Sequence, residues 1–333
     1  MSGTVKGPWL APLRGVTIRT FRDVFGDAIR DAGFVGIYAP FIPANAGFRF
    51  SKRLFADILP AADATGVSPP AAGPKGLALV PQVIGKDPAA LRAWCRAVKD
   101  LGYTRADLNA GCPFPMIWRK GRGSGLLRTP DVLDGMLEAG CEEMGAGNFS
   151  VKTRLGLERS DELLALMSVF NRYPLAVLTV HARTARQMYE GAVDRAAFEA
   201  VAAAAKMPVM YNGDATVESR FPGVAVMVGR RFIRGLANRA DARELLARYV
   251  EASRRELCGA APVLGRLKEL LSYWCREEGW RKRWATIKMC RSVEELLLCS
   301  LPGGPVARCD GNDHAGFGTH KPSATTGVFR KEP

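Results

Sequence analysis

The chain has 333 residues and is 47% hydrophobic, long enough for one large domain or two ordinary ones with a sizeable core. Its 47 Lys+Arg against 33 Asp+Glu give a formal charge of +14, an excess that an enzyme for small neutral metabolites does not need and that points to a polyanionic partner. No apolar run approaches the roughly 20 residues of a membrane-spanning helix, and the N-terminal stretch lacks a signal peptide's apolar core. Of the two polyanions that fit, nucleic acid is therefore expected over an anionic membrane surface.

Apolar, often β-branched runs recur along the chain: "WLAP", "FVGIYAP", "LALVPQVIG", "ADLNAG", "FSVKTRLG", "LAVLTVHAR", "MPVMYNGD" and "VAVMVGR". Helical patterns fall between most of them. "IRTFRDVFGDAIRDAG" sets Phe21, Phe25 and Ile29 at four-residue steps and closes on Gly33. "DPAALRAWCRAVKDLG" has Asp87 as N-cap, Pro88 at the first helical position and Gly102 as its stop. "TPDVLDGMLEAGCEEMGAG" and "SDELLALMSVFNRYP" repeat the theme. Eight strands with helices between them predict an α/β fold, a (β/α)8 TIM barrel. A doubly wound sheet is the alternative, but no GxGxxG follows the first strand.

Polar residues gather near the C-terminal ends of these runs: Gln82, Asn109, Cys112, Lys152, His181, Asn212, Asp214, Gly229 and Arg230. In a barrel those ends meet on one face, where barrel active sites lie. After about residue 237 the pattern turns helical and basic, with ten Lys/Arg and four Glu from Arg254 to Val293 and Trp274, Trp280 and Trp284 among them. The expected division is a barrel over 1–236, a smaller all-α, basic, nucleic-acid-binding domain over 237–300, and a disordered Gly- and Pro-rich tail over 301–333.

The eight cysteines form no CxxC pair, which predicts a reducing, cytoplasmic setting. Only three histidines exist, and His314 and His320 fall in the tail, so no metal site is expected. Cys112 stands in a Gly-Cys-Pro corner at a strand end. Its thiol is read as a proton donor at the catalytic face, against the alternative of an inert packed thiol. Lys152, within an apolar strand, suits an electron-rich ring or an anion. His181 taken alone is better read as a core histidine. Gly213 and Gly229-Arg230 offer backbone N–H groups where barrels bind phosphate. "KGRGSG" lacks the P-loop signature and is read as a hinged lid carrying Arg119, Lys120 and Arg122.

Taken together, these motifs resemble the tRNA-dihydrouridine synthases. "LAPLRGVTIRTFR" is similar to that family's opening, "LNAGCP" followed by "GRGSGLLRTPDVL" to its cysteine signature, and "VKTRLG", "VHARTARQMYEGAVD", "PVMYNGD" and "VMVGR" follow in family order. The likeness runs from about Trp9 to Arg230. Two stretches depart from it: Ile18 stands where an aspartate is usual, and Tyr38-Ala39-Pro40 replaces a common Thr-Glu.

The resemblance implies an FMN-containing barrel that reduces the C5=C6 bond of particular uridines in tRNA with NADPH (or NADH); a monomer is expected only because nothing in the sequence demands more. It implies that Cys112 protonates C5 while reduced flavin gives hydride to C6. Pro12, Leu13 and Arg14 would lie along the flavin, and Gln82 and Lys152 would hydrogen-bond its ring. His181, Asn212, Gly213, Asp214, Gly229 and Arg230 would hold its ribityl-phosphate end. Asn109, Arg154, Arg183 and Lys268 would face the uridine and the RNA. Two other readings remain: a flavin barrel acting on a small pyrimidine, like a dihydroorotate dehydrogenase, and an RNA chaperone that kept the fold.

Overall fold

The structure, a computed structural model, describes residues 7–59 and 73–300. The tail reading and Cys309, His314 and His320 lie outside the described residues. Ten strand segments appear: β1 (Pro8–Leu10), β2 (Gly36–Tyr38), β3 (Ile42–Ala44), β4 (Ala78–Val80), β5 (Gln82–Gly85), β6 (Ala106–Ala110), β7 (Phe149–Gly156), β8 (Leu178–Thr184), β9 (Val209–Asn212) and β10 (Ala225–Val228). Every pairing between them is parallel.

The sheet order runs β3-β5-β6-β7-β8-β9-β10-β1-β2-β4. Its two ends are continuous in the chain. Proline removes a ladder donor, and Pro81 alone separates β4 from β5, while Ala39-Pro40-Phe41 separates β2 from β3. β2 pairs with β4 and β3 with β5, so the segments merge into two staves and the ring closes with eight. Three residues on one stave face two on the other between the paired positions Tyr38↔Val80 and Ile42↔Val83, so a bulge sits at Pro40. The predicted barrel stands. The continuation through β3 was not read from the sequence, because Pro40 and Pro43 break the β-branched run. Gln82, expected near the C-terminal end of its strand run, instead opens β5 and lies within the wall.

The helices follow their sequence signals where caps and periodicity agree. Arg19–Asp31 buries Phe21, Phe25 and Ile29 completely. Pro88–Asp100 begins at Asp87, whose carboxylate accepts from the N–H groups of Ala89 and Ala90. "SDELLALMSVFNRYP", expected as one helix, is instead two single turns, Glu162–Ala165 and Met167–Phe170. The chain tightens to i→i+3 bonding at Leu166, which puts Leu163, Leu166, Met167 and Phe170 all into the core.

The basic C-terminal stretch is likewise divided, into Ala242–Glu256, Ala260–Trp274, Glu278–Arg281, Trp284–Met289 and Val293–Ser300. It packs on helix Arg19–Asp31. Phe25 meets Tyr249 at 5.8 Å and Trp274 at 6.5 Å, ring centre to ring centre, both edge-on. Arg266 bridges Thr20 and Glu256. Trp274 and Trp280 are buried against each other, and Trp280 Nε1 donates to the Ala237 carbonyl at 3.2 Å. Trp274 and Trp280, whose place among cations contributed to the nucleic-acid-binding expectation, instead hold the helices to the barrel.

The Ile18 departure has a structural answer. Ile18 is the N-cap of helix Arg19–Asp31 and has no side chain able to accept a hydrogen bond. Asp57, far along the chain, supplies the missing acceptor: its carboxylate takes the Arg19 N–H and pairs with Arg22 at 3.1 Å.

Candidate active site

Side chains alternate in and out along a strand, so Asp107 and Asn109 on β6 share a face, as do Ser150, Lys152 and Arg154 on β7. Register places Asp107 beside Gln82 and Ser150, Asn109 beside Lys152, and Arg154 beside His181 and then Asn212. A polar lattice therefore fills the upper barrel. Gln82 Nε2 donates to Asp107 at 2.7 Å, and Asn109 Nδ2 donates to Gln82 Oε1 at 2.8 Å. Asn109 Oδ1 accepts the N–H of Cys112 at 2.9 Å and of Gly111 at 3.2 Å, which builds the turn that carries the thiol.

Cys112 is 8% exposed. Burial pushes its pKa up, against the backbone hydrogen bond at Phe114 and the nearby charges of Arg154, Arg14 and Lys152. The thiol is thus held protonated while cations surround it. The segment behind it is not a lid. Residues 123–127 are buried, and Ser124 donates both its hydroxyl and its N–H to the Cys112 carbonyl, at 2.9 and 3.2 Å. Gly123 has φ +57° and lies so close that a Cβ there would stand 2.8 Å from that of Cys112. Its glycine serves close approach rather than hinge motion. Arg119 and Lys120 are exposed on the turn just before it.

Lys152 Nζ donates to Asn212 Oδ1 at 2.9 Å, and Asn212 Nδ2 donates to the Met227 carbonyl at 2.8 Å. Burial, helped by Arg154, pulls the Lys152 pKa down to about 7, although Asp107 and Cys112 oppose the shift. Arg154 braces the mouth from the other side, donating to the carbonyls of Gly111 at 3.1 Å and Thr184 at 2.8 Å. Burial lowers its pKa to about 10, so it keeps its charge at neutral pH.

A second cluster lies at the ends of β8, β9 and β10. His181 is pushed well below its ordinary pKa by burial and by Arg154, Lys152, Arg183 and Arg230. Its Nε2 stands 3.4 Å from Arg183 Nη1, and a guanidinium only donates, so the ring is neutral with its proton on Nδ1. Arg183 was expected to face RNA. It is instead buried and spent on the carbonyls of Glu190 and Gly191 and on Asp214. Burial would raise the Asp214 pKa, but Arg183 and Arg230 hold it below the usual range. Gly213, at φ +122°, passes against the His181 ring. A Cβ on Gly229 would stand 3.2 Å from that of Ala11, which brings the β10 end against the loop of Pro12, Leu13 and Arg14. In that loop Thr17 Oγ1 accepts the Leu13 N–H at 2.8 Å, and the Arg14 guanidinium lies over Phe41 at 5.5 Å.

Lys268 does not join the site. Its ammonium donates to the carbonyls of Lys288 at 2.9 Å and Cys290 at 2.6 Å. Three residues of the site were missed in the sequence. Asp107 was visible two positions before Asn109 on the same strand face. Ser150 stood two positions before Lys152 in the same way. Tyr189 had no such signal: it comes from a loop, and its ring lies under Arg230 at 4.2 Å and Arg154 at 5.1 Å. No group of three or more His, Cys, Asp or Glu able to hold a metal occurs among the described residues. No helix among them is long and apolar enough to cross a membrane.

A family model described as dihydrouridine synthase matches residues 9–230. The tRNA-dihydrouridine synthase B of Vibrio cholerae is 31% identical over 134 residues, 40% of this chain and 41% of that protein. A probable tRNA-dihydrouridine synthase of Rhodobacter capsulatus is 32% identical over 144 residues, 42% of this chain and 44% of that one. The aligned stretches thus span about two fifths of those relatives. Among solved structures, the old yellow enzyme homologue from Zymomonas mobilis aligns with a TM-score of 0.49 at 13% identity, covering 69% of this chain and 86% of that one.

Proposed function

The chain belongs to the dihydrouridine synthase family, and from that premise we propose that it is a flavin-dependent oxidoreductase that reduces the C5=C6 bond of uridines in tRNA at the expense of NADPH or NADH. The observation that carries the reading is the Cys112 thiol: raised in pKa by burial, fixed through Asn109, and surrounded by Arg14, Lys152 and Arg154. A neutral thiol in that setting can give up a proton to a carbon that is gaining negative charge, and the cations then stabilise the thiolate.

The donor set fits FMN. Lys152 is an ammonium whose hydrogen-bond partner is a neutral amide oxygen and whose pKa is drawn down to about 7, so an anionic ring above it would restore its charge. Gln82 faces the same interior. Pro12, Leu13 and Arg14 would flank the ring, while His181, Asn212, Gly213, Gly229 and Arg230 would hold the ribityl-phosphate end, with Asp214 orienting Arg230 at 3.6 Å. When bound, the flavin supplies the hydride. The chain's own part is to seat the base, exclude water and deliver one proton from Cys112 Sγ to C5. Asn109 and Arg154 border the space for the uracil, which must leave its stack to reach a barrel mouth. The basic helical segment would supply affinity for the RNA backbone, within a monomer working in the cytoplasm.

The test is direct. Purified protein is given NADPH and unmodified tRNA, and dihydrouridine is measured by mass spectrometry of the digested RNA. Yellow protein that forms dihydrouridine supports the reading. Protein that cannot be loaded with FMN, or that reduces free orotate and leaves tRNA untouched, overturns it.

A further inference from the structure

Asp107 is fully buried inside the barrel, yet it is flanked on both neighbouring strands by donors aimed at it. Ser150 Oγ donates to its Oδ1 at 2.7 Å, and Gln82 Nε2 donates to its Oδ2 at 2.7 Å. An ionised carboxylate only accepts hydrogen bonds. It therefore turns the Gln82 amide so that nitrogen faces Asp107 and oxygen faces Asn109. That oxygen takes Asn109 Nδ2 at 2.8 Å, which leaves Asn109 Oδ1 for the N–H groups of Cys112 and Gly111. Each amide has one donating and one accepting end, so the orientation of one dictates the next. A single charge deep in the barrel thus sets the order of the row up to the thiol.

We propose that Asp107 is a positioning residue, whose carboxylate acts through Gln82 and Asn109 to hold the Cys112 turn and the Gln82 amide in their working orientation. The catalytic consequence rests on the function proposed above; the orientation of the turn does not.

An unpaired carboxylate in such a place would be costly, and the donors around it answer that cost without cancelling it. Burial raises the Asp107 pKa to about 6, against the hydrogen bonds of Ser150 and Gln82 and the charge of Lys152. The titratable groups facing it are Lys152 on β7 and Tyr38 on β2, the latter pushed further above its ordinary 10 by burial and by Asp107 itself, so it stays a neutral phenol. When Asp107 takes a proton it gains a donor, and the order of the row is no longer imposed.

Two variants of the flavin-loaded enzyme test this. Asp107→Asn keeps the shape but can offer either amide end to Gln82. It should lower kcat for dihydrouridine formation by about ten- to a hundredfold with KM for tRNA unchanged. It should also change the rate of Cys112 alkylation by iodoacetamide, read on its own peptide by mass spectrometry, and leave the exposed Cys258 unaffected. Ser150→Ala keeps the carboxylate but removes one donor, so the acid limb of both the kcat and the alkylation profiles should move to higher pH. Asp107 as mere filler would leave that limb in place. Parent values of kcat and Cys112 alkylation in Asp107→Asn, or an unmoved acid limb in Ser150→Ala, overturn the proposal. Should Asp107→Asn fail to fold, Ser150→Ala decides. A parent enzyme inactive on tRNA whose Cys112 alkylation still responds to Asp107→Asn would sink the functional reading and support the relay.

Discussion

Lys152 and Asn212 meet at 2.9 Å although the strand of His181 lies between theirs. The two side chains reach each other across β8 on the inner face of the barrel. The ammonium is drawn down to about 7 there, from an ordinary 10.5. Unfolding restores the ordinary value, so the unfolded chain binds more protons between those two pH values, and stability from this residue rises with pH across that window. The cost is fully present below pH 7. Lys152→Met should therefore raise resistance to urea most at pH 6, with the gain fading towards pH 10. In the parent holoprotein, reduction of the bound flavin to its anionic form near pH 8 should take up more protons than reduction of free FMN, because the ring's negative charge restores the proton on Lys152, seen with a pH indicator in weak buffer. Lys152→Met should abolish that excess.

Cys112→Ala should leave the flavin absorbance and tRNA affinity intact and slow single-turnover dihydrouridine formation by about a hundred- to ten-thousandfold, the range for loss of a positioned proton donor. Full turnover in that variant would take the thiol out of the mechanism.

Asp57 does two jobs for a helix whose own N-cap is isoleucine. It also pairs with Arg22, a guanidinium with 3% side-chain exposure. Asp57→Ala should cost about 2–3 kcal/mol in denaturant unfolding, more than a cap alone, because Arg22 loses its carboxylate. Adding Ile18→Asp to that variant should recover part of the loss by restoring a local cap.

The cations of the C-terminal helices divide into two sets. Lys268 holds two carbonyls and Arg266 holds Glu256, whereas Arg281, Lys282 and Lys288 are exposed. Replacing the last three by alanine should weaken tRNA binding and flatten its dependence on salt by about one log unit per lost phosphate contact, with the melting temperature unchanged. Lys268→Ala should lower the melting temperature and leave the salt slope alone.

The barrel and the row of polar residues along its mouth were legible in the chain alone. Both depend on local rules: strand runs broken by glycine and proline, helices with their caps written beside them, and strand ends that a closed parallel sheet must bring to one face. The chain also singled out Cys112 as a candidate proton donor, a thiol set between glycine and proline at such a strand end. What each side chain is spent on follows from long-range packing instead. Trp274 and Trp280, spaced among cations as if to stack on bases, are core, because helix Arg19–Asp31 presents Phe25 to them. Lys268 and Arg183 look free in the chain and are consumed by carbonyl and carboxylate oxygens brought from elsewhere. Asp107 drew no notice in sequence, yet register places it against Gln82 and Ser150 at the base of the row that ends at Cys112. Hydrogen-bond partners far apart in the chain follow from strand register and helix docking, and no local pattern encodes them.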